Sequence, residues 1–61
     1  MAEETRIEVI AGPNGDAEIY ELYEDYQPLF YNIHFKGQVS ETFKTLGEAY
    51  LEAGRLAGVR T

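Results

Sequence analysis

Residues 17–26 read AEIYELYEDY, four carboxylates and three tyrosines in ten positions, and whether they form a strand or a helix decides the fold. As a helix, Asp16 would cap the segment, Ile19, Leu22, Tyr23 and Tyr26 would form its apolar stripe, and Pro28 would stop it. As a strand, Glu18, Tyr20, Leu22 and Glu24 share one face, while Ala17, Ile19, Glu21 and Tyr23 share the other. The segment before it, GPNGD (12–16), contains Asn-Gly directly after a strand-like run, the arrangement that folds a chain back on itself as a hairpin. Tyrosine and isoleucine are also enriched in strands. The strand is the preferred reading, and a helix over 16–26, giving β-α-β-β-α, is the alternative.

Outward from this stretch the pattern is consistent. RIEVIA (6–11) alternates, with Ile7 and Val9 on one face and Arg6 and Glu8 on the other, and is rich in β-branched residues. Residues 1–4 are expected to fray. After a turn at Asp25-Tyr26-Gln27-Pro28, a third strand over 29–36 puts Leu29, Tyr31, Ile33 and Phe35 on its core face. Lys36-Gly37-Gln38 reads as a tight turn, and a fourth strand over 38–44 points Val39 and Phe43 inward, with Glu41 awkwardly between them. Within 46–57, Leu46, Ala49, Tyr50, Ala53, Leu56 and Ala57 recur at helical spacing. Thr45 and Glu48 form a T-x-x-E capping box, and Gly58 stands where a left-handed cap belongs. Arg55 and Arg60 lie near the negative end of the dipole, and Gly54 suggests a close approach. The expectation is one α+β domain over 1–61, an antiparallel four-stranded meander (6–11, 17–24, 29–36, 38–44) with a C-terminal helix on one face.

Charge is the strongest compositional signal. Eleven acidic residues oppose five basic ones in 61, a formal net charge of −6. Such a chain is repelled by phosphate backbones and anionic lipid, so neither direct nucleic-acid binding nor membrane association is expected. The absence of cysteine removes disulfides and thiolate chemistry, and a cytoplasmic location is expected. The acidic N-terminus MAEETR is unlike a signal peptide.

No pattern of catalytic residues emerges. His34 and Ser40 are each the single residue of their type, and no nucleophile-elbow motif surrounds Ser40. Asn14-Gly15-Asp16 and Glu24-Asp25 fall short of a calcium-loop spacing, so neither metal nor cofactor is expected. The carboxylates instead alternate with tyrosines, which offer stacking surface for arginine beside charge to pair with it. Glu18, Tyr20, Glu21, Tyr23, Glu24, Asp25 and Tyr26, with Glu48 and Glu52 on the helix, are the candidate partner-binding residues. The partner expected is a basic protein or nucleoprotein complex, and a homodimer is compatible with the sequence.

Two resemblances bear on this expectation. FYNIHFKGQVSETFKTLGEAYLEAGRLA (30–57), with its Thr45, Glu48, Ala49 helix start, resembles the C-terminal part of small bacterial sheet-then-helix proteins. These include uncharacterised β-β-β-α proteins, HicB-type antitoxins and the arm-type DNA-binding domain of tyrosine integrases. This sequence lacks the basic sheet face that the integrase domains present to DNA. By type, a small, acidic, tyrosine-rich chain without cysteine resembles the anti-defence proteins of phages and mobile elements, including anti-CRISPR proteins that imitate DNA. That likeness implies a stoichiometric inhibitor whose carboxylates, here Glu18, Glu21, Glu24 and Asp25, with Glu48 and Glu52 on the helix, occupy a nucleic-acid channel. The other likeness implies an accessory subunit that completes a partner through a sheet edge or helix face.

Overall fold

A computed structural model describes residues 3–24 and 27–59. Four strands, β1 (Glu3–Gly12), β2 (Gly15–Glu24), β3 (Gln27–Phe35) and β4 (Gln38–Val39), precede one helix, α1 (Leu46–Ala57). The strands form a single antiparallel sheet in the order β1-β2-β3-β4, and α1 packs on one of its faces. The 17–26 stretch is therefore strand as far as Glu24. Asp25 and Tyr26 lie outside the described residues.

Turn chemistry explains the meander. Pro13-Asn14 closes the first hairpin, with Gly12 and Gly15 as its last pair. Lys36 and Gly37 both take positive φ, 50° and 78°, as a type I′ hairpin turn requires. The helix starts where the sequence predicts, with the Thr45 half of the capping box formed and the Glu48 carboxylate on the Thr45 hydroxyl in place of its N–H. Thr45 adopts extended backbone, its hydroxyl oxygen accepts from the Glu48 N–H at 3.3 Å, and the same hydroxyl donates to Glu48 Oε1 at 2.9 Å. Gly58 caps the other end at φ 85°, and Val59 N donates to the Gly54 carbonyl at 2.9 Å. Together with Gly58 N reaching Arg55, this satisfies carbonyls that a helix end otherwise leaves open.

The core between helix and sheet is thin. Ala17, Ile19 and Ile33 from the sheet and Ala49, Ala53 and Ala57 from the helix are fully buried, with Ile10, Tyr31, Phe35, Phe43, Leu46 and Leu56 packed around them. Alanines on the facing helix surface let it lie close to the sheet. The closest approach is at its C-terminus, where Asn14 N donates to the Ala57 carbonyl at 2.9 Å. A Cβ on Gly12 would collide with that same carbonyl, so Gly12 is needed there.

Five expectations need correction. First, β1 begins at Glu3, so Glu3 and Glu4 belong to the sheet; residues 1–2 of the supposed tail lie outside the described residues. Second, the alternation assumed for 6–11 is broken by a bulge. Arg6 pairs with Tyr20 and Glu8 with Ile19, leaving Ile7 as the extra residue. Arg6 and Glu8 thus reach opposite faces, Ile7 and Val9 stay exposed, and Ile10 is the β1 residue that packs on the core. Third, Gln27 and Pro28 belong to β3 rather than to a turn. Pro28 pairs with Tyr23 at a second register shift, a place that tolerates a residue with no N–H to donate.

Fourth, residues 38–44 are not a continuous strand. Pairing stops at Val39, because the Ser40 hydroxyl takes the Ile33 N–H at 2.9 Å in place of a backbone carbonyl. Phe43 rejoins the sheet by a lone bridge to Tyr31. Val39 therefore pairs with His34 on the face away from the helix, Phe43 lies on the helix side, and Glu41 escapes to solvent. Fifth, Gly54 does not mark a close approach, since a Cβ there would meet only the Val59 carbonyl at an ordinary 3.7 Å.

Candidate partner-binding surfaces

The helix divides the sheet into unequal parts. Twelve helical residues span about 18 Å, whereas the ten-residue strands run about 33 Å. With its C-terminus fixed to the β1–β2 turn, α1 covers the near half of the long hairpin. Glu3, Thr5, Glu21 and Tyr23 lie in the far half, where Glu3 pairs with Tyr23 and Thr5 with Glu21. Among the described residues neither Glu3 nor Glu21 forms an ion pair with a cation. This far end is also where Glu24 ends β2; its side chain is outside the described set, as is that of Leu29 in β3.

The face away from the helix is built differently. Tyr20 stacks on His34, with centroids 4.0 Å apart and planes at 28°. Arg6 Nη1 lies 3.2 Å from Glu18 Oε2, across the β1–β2 pair. Glu4 Oε2 reaches to 3.4 Å from His34 Nε2 across the width of β2, without hydrogen-bond geometry, so that nitrogen has no bonded partner among the described residues. Asn32 is only 7% exposed, and its Oδ1 is likewise unsatisfied among them. Around these polar groups stand Val9, Phe30 and Val39, 40%, 39% and 58% exposed, with half-buried Leu22 paired to Phe30. No described element covers this face.

The candidate residues are therefore not brought onto one surface. Glu18 and Tyr20 lie on the open face, Glu21 and Tyr23 at the far end, and Glu48 and Glu52 on the helix. Glu48 is committed to the cap and Glu52 to Arg55, whose Nε donates to Oε1 at 2.8 Å. That bond holds the Glu52 carboxyl below the usual carboxylate range and raises Arg55. Tyr50, expected in the apolar stripe, sits at the helix edge and donates to Glu8 Oε2 at 2.8 Å; this bond pushes its phenol above the ordinary value.

Sequence reasoning missed the open face as a unit. Its members, Val9, Leu22, Phe30 and Val39, come from four strands, and the Ile7 bulge and the Ser40 break decide which of them share a side. Only the Phe30, Asn32, His34 alternation was a signal for it. His34 and Ser40 do not form a catalytic pair: the Ser40 hydroxyl donates to the Glu41 carbonyl at 2.9 Å, while His34 is stacked on Tyr20. A groove of about 360 Å³ runs between α1 and the β4 segment, floored by Ile33, Phe35, Phe43 and Leu56. No helix among the described residues is long and apolar enough to cross a membrane. No known protein family, curated relative or solved structure matches the chain.

Proposed function

We propose that the protein is a non-catalytic acidic protein-binding module, a stoichiometric inhibitor or DNA mimic of the anti-defence, anti-CRISPR-like kind, occupying a partner's basic nucleic-acid-binding surface. The observation that supports this reading is the far end of the sheet, where Glu3 and Glu21 stand beside Tyr23 without cationic partners among the described residues. Carboxylates there steer association with a basic groove, and tyrosine stacks on arginine once docked. The test is a triple variant, Glu21→Lys, Glu24→Lys and Asp25→Lys, in capture from bacterial lysate washed at low and then high salt. The native protein should retain a nucleic-acid-binding complex that salt releases, and should compete with nucleic acid for it; the variant should retain none. Equal capture by the variant would remove this reading.

A second reading, an antitoxin-like accessory subunit, is favoured by the exposed Val9, Phe30 and Val39 on the open face. It expects a complex that survives high salt, since burial is not screened.

A further inference from the structure

We infer that Asn14 is a self-modification site, whose conversion to aspartate or isoaspartate releases the C-terminal end of α1 from the first hairpin. Asn14 is one of two asparagines in the chain and is followed by Gly15. The backbone nitrogen that follows an asparagine can attack the side-chain carboxamide, and a glycine, having no Cβ, leaves that nitrogen least shielded. The other asparagine, Asn32, is buried and precedes β-branched Ile33. Asn14, by contrast, is exposed in the turn between β1 and β2. Gly12 and Gly15 form the last pair of that hairpin, so local opening of a single rung frees the Gly15 nitrogen.

The chemistry balances with water as the sole co-reactant. A bond forms between Gly15 N and Asn14 Cγ, the Cγ–Nδ2 bond breaks, and the amide nitrogen leaves as ammonia with the proton that Gly15 N gives up. Water then opens the cyclic imide at either carbonyl. One opening yields aspartate; the other yields isoaspartate, in which the side-chain methylene has entered the main chain. Both products carry a carboxylate where the chain had a neutral amide.

What makes this position consequential is that both nitrogens of Asn14 fasten α1 to the sheet. Its backbone N donates to the Ala57 carbonyl at 2.9 Å and its Nδ2 to the Leu56 carbonyl at 3.4 Å. The carboxamide is seated against the helix cap, where a Cβ on Gly58 would stand 2.9 Å from Nδ2. An aspartate has no side-chain N–H to give Leu56, and it sets a negative charge against carbonyls at the negative end of the helix dipole. Arg55, the basic residue of the last turn, is held by Glu52 and does not offset that charge. Lys36 stands beside Gly15, where a Cβ would meet its Cε at 3.5 Å. A carboxylate that turns toward Lys36 leaves the helix end. Isoaspartate lengthens the turn itself, so the backbone bond to Ala57 is disturbed as well. Either product loosens the helix where it lies closest to the sheet.

The site does not depend on the proposed acidic contact, and its test needs no partner. The full chain is incubated in warm, mildly alkaline buffer without denaturant, and ammonia release, intact mass and peptide mapping are followed together. The amide-to-acid mass change should accumulate at Asn14 and not at Asn32, and part of the product should react as isoaspartate. Asn14→Gln keeps a carboxamide but needs a larger ring to close, so it should not convert. Asn14→Asp presents one product directly, and its α1 amides should exchange at least about tenfold faster than the native ones, as the loss of a hydrogen bond to a helix end implies. The β2–β3 amides should stay protected. If Asn14→Asp fails to fold, the partly converted native sample supplies the same comparison, because hydrogen exchange read by mass resolves converted from unconverted chains. No conversion at Asn14, or conversion in denaturant alone, overturns the inference. So does converted protein whose α1 amides exchange like those of the native chain.

Discussion

The two faces of the sheet carry apolar surface in different states. The covered side holds Ala17, Ile19 and Ile33 fully buried against three helical alanines, ringed by Ile10, Tyr31, Phe35, Phe43, Leu46 and Leu56. The open side carries Val9, Tyr20, Leu22, Phe30 and Val39, and nothing in the described chain lies over it. Close packing makes the covered set cohesive, because a residue touching neighbours all round gains more than one half in water. Apolar content alone is therefore a poor guide to where a small domain is held together.

Deleting side chains on each face tests that contrast most severely. Ile19→Ala or Ile33→Ala should cost about 2–5 kcal/mol, a large share of the stability of so small a domain. Cooperative thermal unfolding should be lost or shifted far down. Val39→Thr on the open face should stay within about 0.5 kcal/mol. A comparable loss from both would mean that the faces are equally structural.

Next comes the place where the covered face is tightest. Gly12→Ala forces a methyl group into the Ala57 carbonyl, and backbone must move, at about 1–3 kcal/mol. Hydrogen exchange should show α1 opening while the β2–β3 amides remain protected. The cap can be probed in the same way: Thr45→Ala removes the acceptor for Glu48 N and should cost about 1 kcal/mol. In the other direction, Gly54→Ala places a Cβ where there is room and should raise stability by up to about 1 kcal/mol. A loss there would reveal a constraint on the helix that its packing does not account for.

The smallest effects are those of pH. The Tyr50 phenol, raised by its bond to Glu8, adds stability that is complete below its unfolded value near pH 10 and disappears as pH climbs through the higher folded one. Glu52, lowered by Arg55, adds stability present above its unfolded value and lost as pH falls through the depressed one. Both bonds are solvent-screened: Tyr50 is 39% exposed, and the Glu52 and Arg55 side chains are 28% and 69% exposed. Tyr50→Phe and Glu52→Gln should therefore flatten the alkaline and acid limbs of the stability curve only slightly.

Much of this architecture is legible in the sequence where local chemistry and global packing agree. The 46–57 helix is announced by its stripe and both caps, and the hairpins by Asn-Gly and Lys-Gly. The parts that are not legible are those where a single residue changes the phase of a strand. Nothing in RIEVIA marks Ile7 as the extra residue, because a bulge is a property of pairing, and the partners opposite it, Ile19 and Tyr20, lie on the next strand. Likewise, VSETF looks like a strand until the Ser40 hydroxyl competes for the ladder. Glu18 and Glu21 are partly exposed, as the acidic stretch suggests, but residues an odd number of positions apart on one strand are sent to different sides, so the two do not act together.

The strict β1-β2-β3-β4 order has a consequence for how the chain reaches this state. Every sheet pairing joins sequence neighbours, so each strand can zip onto the last through a short turn with little loop entropy to overcome. The long-range bonds are those that hold the helix to the first hairpin, Asn14 N to the Ala57 carbonyl and Tyr50 to Glu8. The hairpins should form early and the helix dock late, so mutations at the α1–turn contact should accelerate unfolding and leave the folding rate almost unchanged.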